Sequence, residues 1–329
     1  MMPRRRSTYR IRLTLISLAL LAGIAHAAAQ SFPSKPIRIV VPTTGGSPPD
    51  IISRVIAAQV SETEGWQVVV ENRPGGSQTL AVADVLKQNP DGYSIAVLGI
   101  PVVAGPAVLP NVSFRPDTDL APVIKVEVDY NVLVVTPSVP ATSVAELIAL
   151  LRQQPGKFTF SSGGFGTPAH LIGELFKLQT GVSATHVPYQ QFTQAIADLL
   201  NGTNQYMFIT TLPVVDLINS GRLRALAVTG PKRLAALKDV PTIAEEGFPS
   251  LAVEGWQGFS VKSGTPSNVI ARLNQAVNRA LTAPKVRETF ANLGAEPAGG
   301  TPADYGNLVT AQVAYWAKVV KDSGIKMHQ

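Results

Sequence analysis

Residues Val41 to Asp50 read V-P-T-T-G-G-S-P-P-D, and the reading of this stretch decides the fold. It follows Ile37 to Val41, a short apolar, β-branched run of the kind that forms a buried strand. It precedes Ile51 to Val60, which suits a helix. The turn between them holds Thr, Gly, Ser and Pro and no bulky side chain. A strand that ends in small residues and feeds a helix leaves the helix's first N–H groups unpaired above the strand end, a seat for an anion.

The same unit recurs along the chain. Gln67 to Val70 is strand-like, Asn72 to Ser77 is a second small-residue turn, and Thr79 to Gln88 has helical spacing that Asn89-Pro90-Asp91-Gly92 stops. Tyr93 to Leu98 is a third strand, so this block reads as βαβαβ. A second block begins with a strand at Asn131 to Val135 and a helix headed by Ser143 and Glu146, the S-x-x-E capping box. It continues with a strand at 158–160, the turn Ser161 to Thr167, and a helix from Pro168 to Leu178. A strand at 184–187, the turn Pro188 to Gln191 and a helix at 193–200 come next, then strands at 206–209 and 223–229. The C-terminal part is helical, with Thr265-Pro266 and Thr301-Pro302 placing Thr at the N-cap and Pro at N1. Strand, small turn and helix in two blocks predict an α/β protein with ligand loops at the strand C-terminal ends.

The first residues carry a different signal. Arg4, Arg5, Arg6, Arg10 and Arg12 precede an apolar segment, Leu15 to Ile24, and the small-x-small pattern Ala25-His26-Ala27. Residues 1–29 are therefore expected to be a cleaved secretory signal peptide, and the protein periplasmic. The leader holds five of the 28 Lys and Arg and none of the 22 Asp and Glu, which leaves the remainder at 23 against 22. A near-neutral chain has no electrostatic case for nucleic acid or an anionic membrane. The absence of cysteine excludes disulfides, so packing of an apolar interior must hold the fold.

Catalytic patterns are missing. There is no Cys nucleophile, no H-E-x-x-H, no G-x-S-x-G and no P-loop, and no metal-ligand spacing. An exported α/β hydrolase would need a nucleophile elbow. His170 and His186 read as structural rather than catalytic. Four loops rich in N–H and O–H groups remain: Thr43 to Ser47, Gly75 to Gln78, Ser161 to Thr167 and Tyr189 to Gln191, none with Lys, Asp or Glu. Such loops suit reversible capture of a carboxylate, and each helix end contributes about 0.3–2 kcal/mol. The candidate ligand residues are Thr43, Thr44, Gly45, Gly46, Ser47 and Asp50, then Gly76, Ser77 and Gln78. From the second block come Ser161, Ser162, Gly166, Thr167, His170, Tyr189, Gln190 and Thr210. No cofactor and no metal are expected.

These motifs together resemble the Bug family, the substrate-binding proteins of tripartite tricarboxylate transporters. The resemblance rests on Pro42, Gly45, Gly46 and Asp50, on Val68 to Gly75 (VVVENRPG), and on Pro90 to Tyr93 (PDGY). It continues through Ser161-Ser162-Gly163, Gly166-Thr167, His170-Leu171, Gly173 to Phe176, and His186 to Tyr189. Leu223 to Thr229, Asp239 to Thr242 and Gly264 to Pro266 complete it. It implies a two-domain type II periplasmic binding fold, a Venus flytrap, each domain a mixed, mostly parallel sheet flanked by helices. Residues 30–131 plus 254–329 would form domain 1 and 132–253 domain 2, with crossover strands near Asp129 to Val135 and Leu251 to Val261. It implies a monomer that captures a small di- or tricarboxylate for membrane transporter subunits, or one that presents it to a sensor domain.

Several positions depart from the family pattern. Thr43 and Thr44 replace an aromatic residue and prolines, Gln190-Gln191 replace Lys-Gly, Gln205 replaces Asp, and Ile209 replaces a polar residue. The third strand runs into Ile100-Pro101-Val102-Val103 rather than Ser and Asn. A wetter first loop and a more apolar far wall predict a ligand with one carboxylate and a less polar body, such as an aromatic or medium-chain dicarboxylic acid.

Overall fold

The computed structural model describes residues 32–109, 111–189 and 191–323. The expected leader and Gln190 lie outside the described residues.

The first block folds as its alternation predicts. Strand β1 (Ile37–Val41) leads through helix α1 (Pro48–Glu64) to β2 (Val68–Asn72), and helix α2 (Thr79–Leu86) leads to β3 (Ser94–Gly99). β1 lies between β2 and β3, parallel to both. Gly65 closes α1 in the left-handed conformation at φ 68°, where its N–H reaches Ser61 O at 3.1 Å. One helix, α3 (Ile100–Val108), was not expected. Pro101, Gly105 and Pro106 interrupt its sequence, yet Pro101 stands in the first turn, where no N–H is needed.

Strand β4 (Leu120–Val135) is the structural pivot. Its first eleven residues pair antiparallel with β9 (Glu254–Lys262), and Glu127 to Asp129 also pair with β10 (Ala295–Pro297). Its last five, Asn131 to Val135, pair antiparallel with β7 (Tyr206–Thr210), and Val132 to Val135 also with β8 (Arg224–Val228). One strand thus serves two sheets and changes between them at Tyr130 and Asn131. Pro122, Lys125, Glu127 and Asp129 interrupt the apolar pattern of its first part, which is why only Asn131 to Val135 reads as strand.

Among the described residues β9 pairs with β3 and β4 alone, which places it in the first sheet. The return passage before it, after the bridge of Val228 to Thr242, contains a short 3₁₀ turn, Pro249–Leu251.

The second sheet repeats the first block's logic. Helix α4 (Val144–Gln153), β5 (Thr159–Ser162), α5 (Pro168–Thr180), β6 (Thr185–Pro188) and α6 (Phe192–Leu200) follow one another, and β5 runs parallel to both β6 and β7. The expected capping box is half present. Ser143 Oγ accepts from Glu146 N at 3.2 Å, but the Glu146 carboxylate turns to Thr142 N at 2.7 Å.

After the short α7 (Val215–Asn219), the helices α8 (Ser267–Thr282), α9 (Pro284–Asn292) and α10 (Pro302–Ser323) cover the first sheet. Thr301 caps α10 as expected, accepting from Asp304 N at 3.1 Å. Thr265 does not cap α8. Its hydroxyl donates to Lys262 O at 2.7 Å, and Pro266 takes the cap position. On α10, Tyr305 and Trp316 are fully buried, and the Tyr305 ring fills the space over Gly258 on β9.

Candidate ligand-binding cleft

The strand ends of the two sheets open onto one cleft of about 710 Å³. One wall is Thr43, Thr44, Gly45, Gly46, Ser47, Pro48 and Pro49, with Gln78 beside it. The opposite wall is Gly163, Thr167, Pro168, Ala169, Gln191 and Thr193. Asn131, Phe208, Ile209, Thr210 and Pro213 close it from β4, β7 and the turn after β7. No lysine, arginine or carboxylate lies among these lining residues.

The first wall is held by a buried ionic clamp. Asp50, in the first turn of α1 and 2% exposed, accepts from Gly46 N at 2.8 Å, Asn72 Nδ2 at 2.8 Å and Arg54 Nε at 3.0 Å. Asn72 also donates to Thr43 O at 3.0 Å, which ties the loop to the end of β2. Burial alone would raise the Asp50 pKa. The bonds from Arg54, Gly46 and Asn72 outweigh it and hold the carboxyl below its ordinary value. Asp50 was a candidate ligand residue; its oxygens are spent on this clamp, so it shapes the loop and does not face the cleft. Thr43 and Ser47 hydroxyls lie 2.6 Å apart, and Ser47 also donates to Thr44 O.

Proline alters the anion seat that the sequence suggests. Pro48 and Pro49 occupy the first two positions of α1 and carry no N–H. The helix start therefore offers little beyond the Asp50 N–H. Within the loop the Ser47 proton goes to Thr44 O and the Thr43 proton to Ser47 Oγ, which leaves the Thr44 hydroxyl as the uncommitted side-chain donor of the loop among the described residues. Gln78 is the other donor on this side. It and Ser77 hold left-handed conformations, at φ 75° and 49°, which side-chain-bearing residues rarely adopt. Ser77 and Gly76 form the turn that carries Gln78 to the cleft and do not line it themselves.

The second wall is held by neutral rings. The His170 and His186 rings lie 4.2 Å apart, with Phe160 against His186 and Phe165 edge-on to both. His170 Nδ1 accepts from Gly166 N at 3.1 Å, so its proton sits on Nε2. Burial is the main cause that lowers the His170 pKa to about 4 and that of His186 to about 3, with Lys177 adding to both. His170 and Gly166, both candidates, thus buttress the loop rather than line the cleft.

Ser162 is buried, and its hydroxyl lies 2.7 Å from His186 Nε2. This Ser–His pair has neither access to the cleft nor a carboxylate to orient the imidazole, so it is not a nucleophile. Ser161 is buried too, with no partner for its hydroxyl among the described residues. Tyr189 also turns away. Its hydroxyl donates to Asp198 and accepts from Asn204, both at 2.6 Å. Gln205 is structural, accepting from Thr159 N at 2.7 Å.

The candidates that line the cleft are therefore Thr43, Thr44, Gly45, Gly46, Ser47, Gln78, Thr167 and Thr210. Asn131 was missed as a site residue. It is 2% exposed, and its Nδ2 has no hydrogen-bond partner among the described residues. The signal was available, since it is a polar residue heading the apolar run Asn131 to Val135.

Two sheets joined by a shared strand, with a ligand-sized cleft at their facing strand ends, define a two-domain solute receptor of the periplasmic-binding-protein type. The model of the tripartite tricarboxylate transporter family receptor matches residues 52–325, and the chain belongs to that family. It is 33% identical over 309 residues to protein BugT of Bordetella pertussis, covering 93% of this chain and 95% of that one. A structure titled R. palustris Rpa4515 with adipate superposes with a TM-score of 0.80 at 36% identity, covering 90% of this chain and 99% of that chain. MatC from Rhodopseudomonas palustris, with bound malate, gives 0.79 at 29%, covering 88% and 100%. The family is one of periplasmic receptors, not of catalysts. Among the described residues no helix is long and apolar enough to cross a membrane.

Proposed function

We propose that this protein is exported by cleavage of residues 1–29 and captures a small carboxylate for uptake by a tripartite tricarboxylate transporter. The carrying observation is the cleft itself: hydroxyls and amides line it, and among the described residues no charged side chain does. Thr43, Thr44, Ser47, Gln78, Thr167 and Thr210 would hold the ligand, with the Asn131 amide as a further donor. Two relatives of known structure hold the dicarboxylates adipate and malate. Pro48, Pro49, Pro168 and Pro213 give the cleft its apolar surface, with Phe208 and Ile209 buried behind it, which favours a medium-chain or aromatic acid over a densely charged one.

The moving units would be residues 30–131 with 254–329 and residues 132–253, hinged where β4 changes sheets. Closure of such units around a ligand excludes water and strengthens each hydrogen bond.

A thermal-shift panel of carboxylates tests the ligand class, since anything that binds the native state alone raises its melting temperature. Stabilisation by medium-chain or aromatic acids, with a smaller radius of gyration in solution scattering at saturation, is expected. Stabilisation by citrate alone would overturn the ligand class, and an unchanged radius would overturn closure.

A further inference from the structure

The cleft does not end at its walls. Pro48, Pro49, Gln78, Pro168 and Thr210 are shared with an inner chamber of about 160 Å³ between the ends of β1, β3 and β9. Val97, Leu98, Ile100 and Pro101 give it aliphatic sides. Asp129 is the sole titratable side chain among the described residues that line it. It pairs with Gly255 on β9, and the carboxyl lies over that glycine, filling the space a Cβ would need. Asp129 Oδ1 is buried with no hydrogen-bond partner among the described residues. Among the described residues no cation lines the chamber.

We propose that this chamber receives the far end of the cargo and that Asp129 selects a hydrogen-bond donor there, excluding a free carboxylate. The inference rests on the carboxylate-receptor reading and deepens it. The near end of the ligand is an anion held by hydroxyls and amides. The far end carries a proton: an ammonium, a hydroxyl, or a carboxyl that binds in its un-ionised form.

The physical ground is like-charge repulsion. Two carboxylates side by side with no cation between them do not both stay ionised, so one must hold a proton. The charged groups around Asp129 reinforce this. Glu127 on the same strand is buried, and burial pushes its carboxyl well above the ordinary range. Glu254 on β9 is ionically paired with Lys125, so Lys125 is already engaged. Glu254, Glu296 and Asp129 itself act on the buried Tyr130 phenol, which burial chiefly pushes up to about 12. Burial first, then Glu254, raises Asp129 itself to about 6. Above that pH the chamber holds an unpartnered anion that a donor satisfies. A dicarboxylate enters only with a proton shared between its far carboxyl and Asp129, so its capture takes up one proton.

Isothermal titration of the full mature protein with hexanoate, 6-hydroxyhexanoate, 6-aminohexanoate and adipate tests this. At pH 8 the hydroxy and amino acids should bind at least tenfold tighter than adipate. Adipate affinity should rise about tenfold per pH unit from pH 8 down to about pH 6, with one proton taken up when buffers of different ionisation heat are compared. In Asp129→Asn, adipate should lose its pH dependence and bind at least tenfold tighter than wild type at pH 8, and 6-aminohexanoate should lose more affinity than 6-hydroxyhexanoate. A melting temperature at or above wild type would show the variant folded. Wild type binding adipate equally at pH 6 and 8 without proton uptake, or Asp129→Asn keeping the wild-type ranking, overturns the proposal while hexanoate binding preserves the receptor reading. If wild type binds none of the four, both fall.

Discussion

The two walls of the cleft are built from the same unit, strand to small turn to helix, yet opposite physics holds them. The Thr43–Ser47 wall is fastened by charge, with Asp50, Arg54 and Asn72 closing a bonded ring behind the loop. The Gly163–Ala169 wall is fastened by burial of neutral rings, with His170 and His186 in tilted contact and both kept unprotonated. In each case the potentially charged group of the unit is withdrawn from the cleft, ion-paired in one wall and neutralised in the other. A cleft free of fixed charge is thereby made twice, by independent means. What lines the two walls is hydroxyl, amide, backbone and apolar side chain, which suits reversible capture because none of these forms a full ion pair with the near carboxylate that would slow release.

The widest break between the walls comes from removing the charged clamp. Asp50→Ala takes the acceptor from the Gly46 N–H and from one Asn72 N–H and the ion-pair partner from Arg54, leaving Arg54 bonded to Asn72 Oδ1 and Asn72 to Thr43 O. Breaking a buried pair in this way costs about 3 kcal/mol; Arg54 is half exposed, so part of its loss is recovered in water. Urea unfolding of the variant against wild type checks this. A loss under about 1 kcal/mol would mean that packing, not the clamp, holds the first wall. The clamp also sets a pH limit. Asp50 is depressed in the folded state, so its contribution is present above its ordinary value of 3.8 and disappears as pH falls below it.

The ring-held wall should give way at milder acidity. Unfolded histidine titrates near 6.5, whereas His170 and His186 titrate at about 4 and about 3 when folded. Between these values the unfolded chain binds protons that the folded chain refuses, so stability falls as pH drops below 6.5. At pH 5 the loss is about 2 kcal/mol per ring relative to pH 8. Asp129 works in the opposite direction over the same range, because its raised folded value lets the native state take up the proton first. The rings are therefore read by difference. His186→Asn should lose about 2 kcal/mol less than wild type between pH 8 and pH 5 in urea unfolding, whatever its absolute stability. Equal losses in the two proteins would show that the second wall does not depend on keeping that ring neutral.

Much of this architecture was legible in the sequence because the deciding signals are local. Ile37 to Val41, the small turn after it and the helix that follows announce themselves by composition within a few residues. The parts that were not legible depend on contacts distant along the chain. β4 is long because Glu127 and Asp129 find partners on β9 and β10, more than a hundred residues away. The roles of Asp50 and Tyr189 could not be separated from those of Thr43 and Thr167 by residue type. Each offers oxygen near a strand end, and only the three-dimensional partners, Arg54 and Asn72 for one and Asp198 and Asn204 for the other, reveal which oxygens are spent. The prolines at 48 and 49 were readable in advance, since a residue without an N–H cannot help to build an anion seat.

The finest difference between the walls lies in strain. On the second side the positive-φ positions Gly164 and Gly166 are glycine, whereas on the first side the consecutive residues Ser77 and Gln78 adopt left-handed backbone without being glycine. Left-handed backbone costs an L-residue roughly 1–2 kcal/mol, and the side chain gains its place at the cleft in return. Gln78→Gly removes that strain but makes the unfolded chain more flexible, so the two effects partly cancel and a net gain of about 0.5 kcal/mol is expected. Affinity should move the other way, weakening about three- to tenfold with loss of one hydrogen-bonding amide. Melting temperature and titration calorimetry on the same protein separate the two. A variant that gains stability and keeps full affinity would place the Gln78 amide outside the ligand's reach and leave the Thr44 hydroxyl and the loop backbone as the donors of that wall. A variant that loses both would mean that the Gln78 side chain supports the turn itself, and the strain at this position would then be structural in origin.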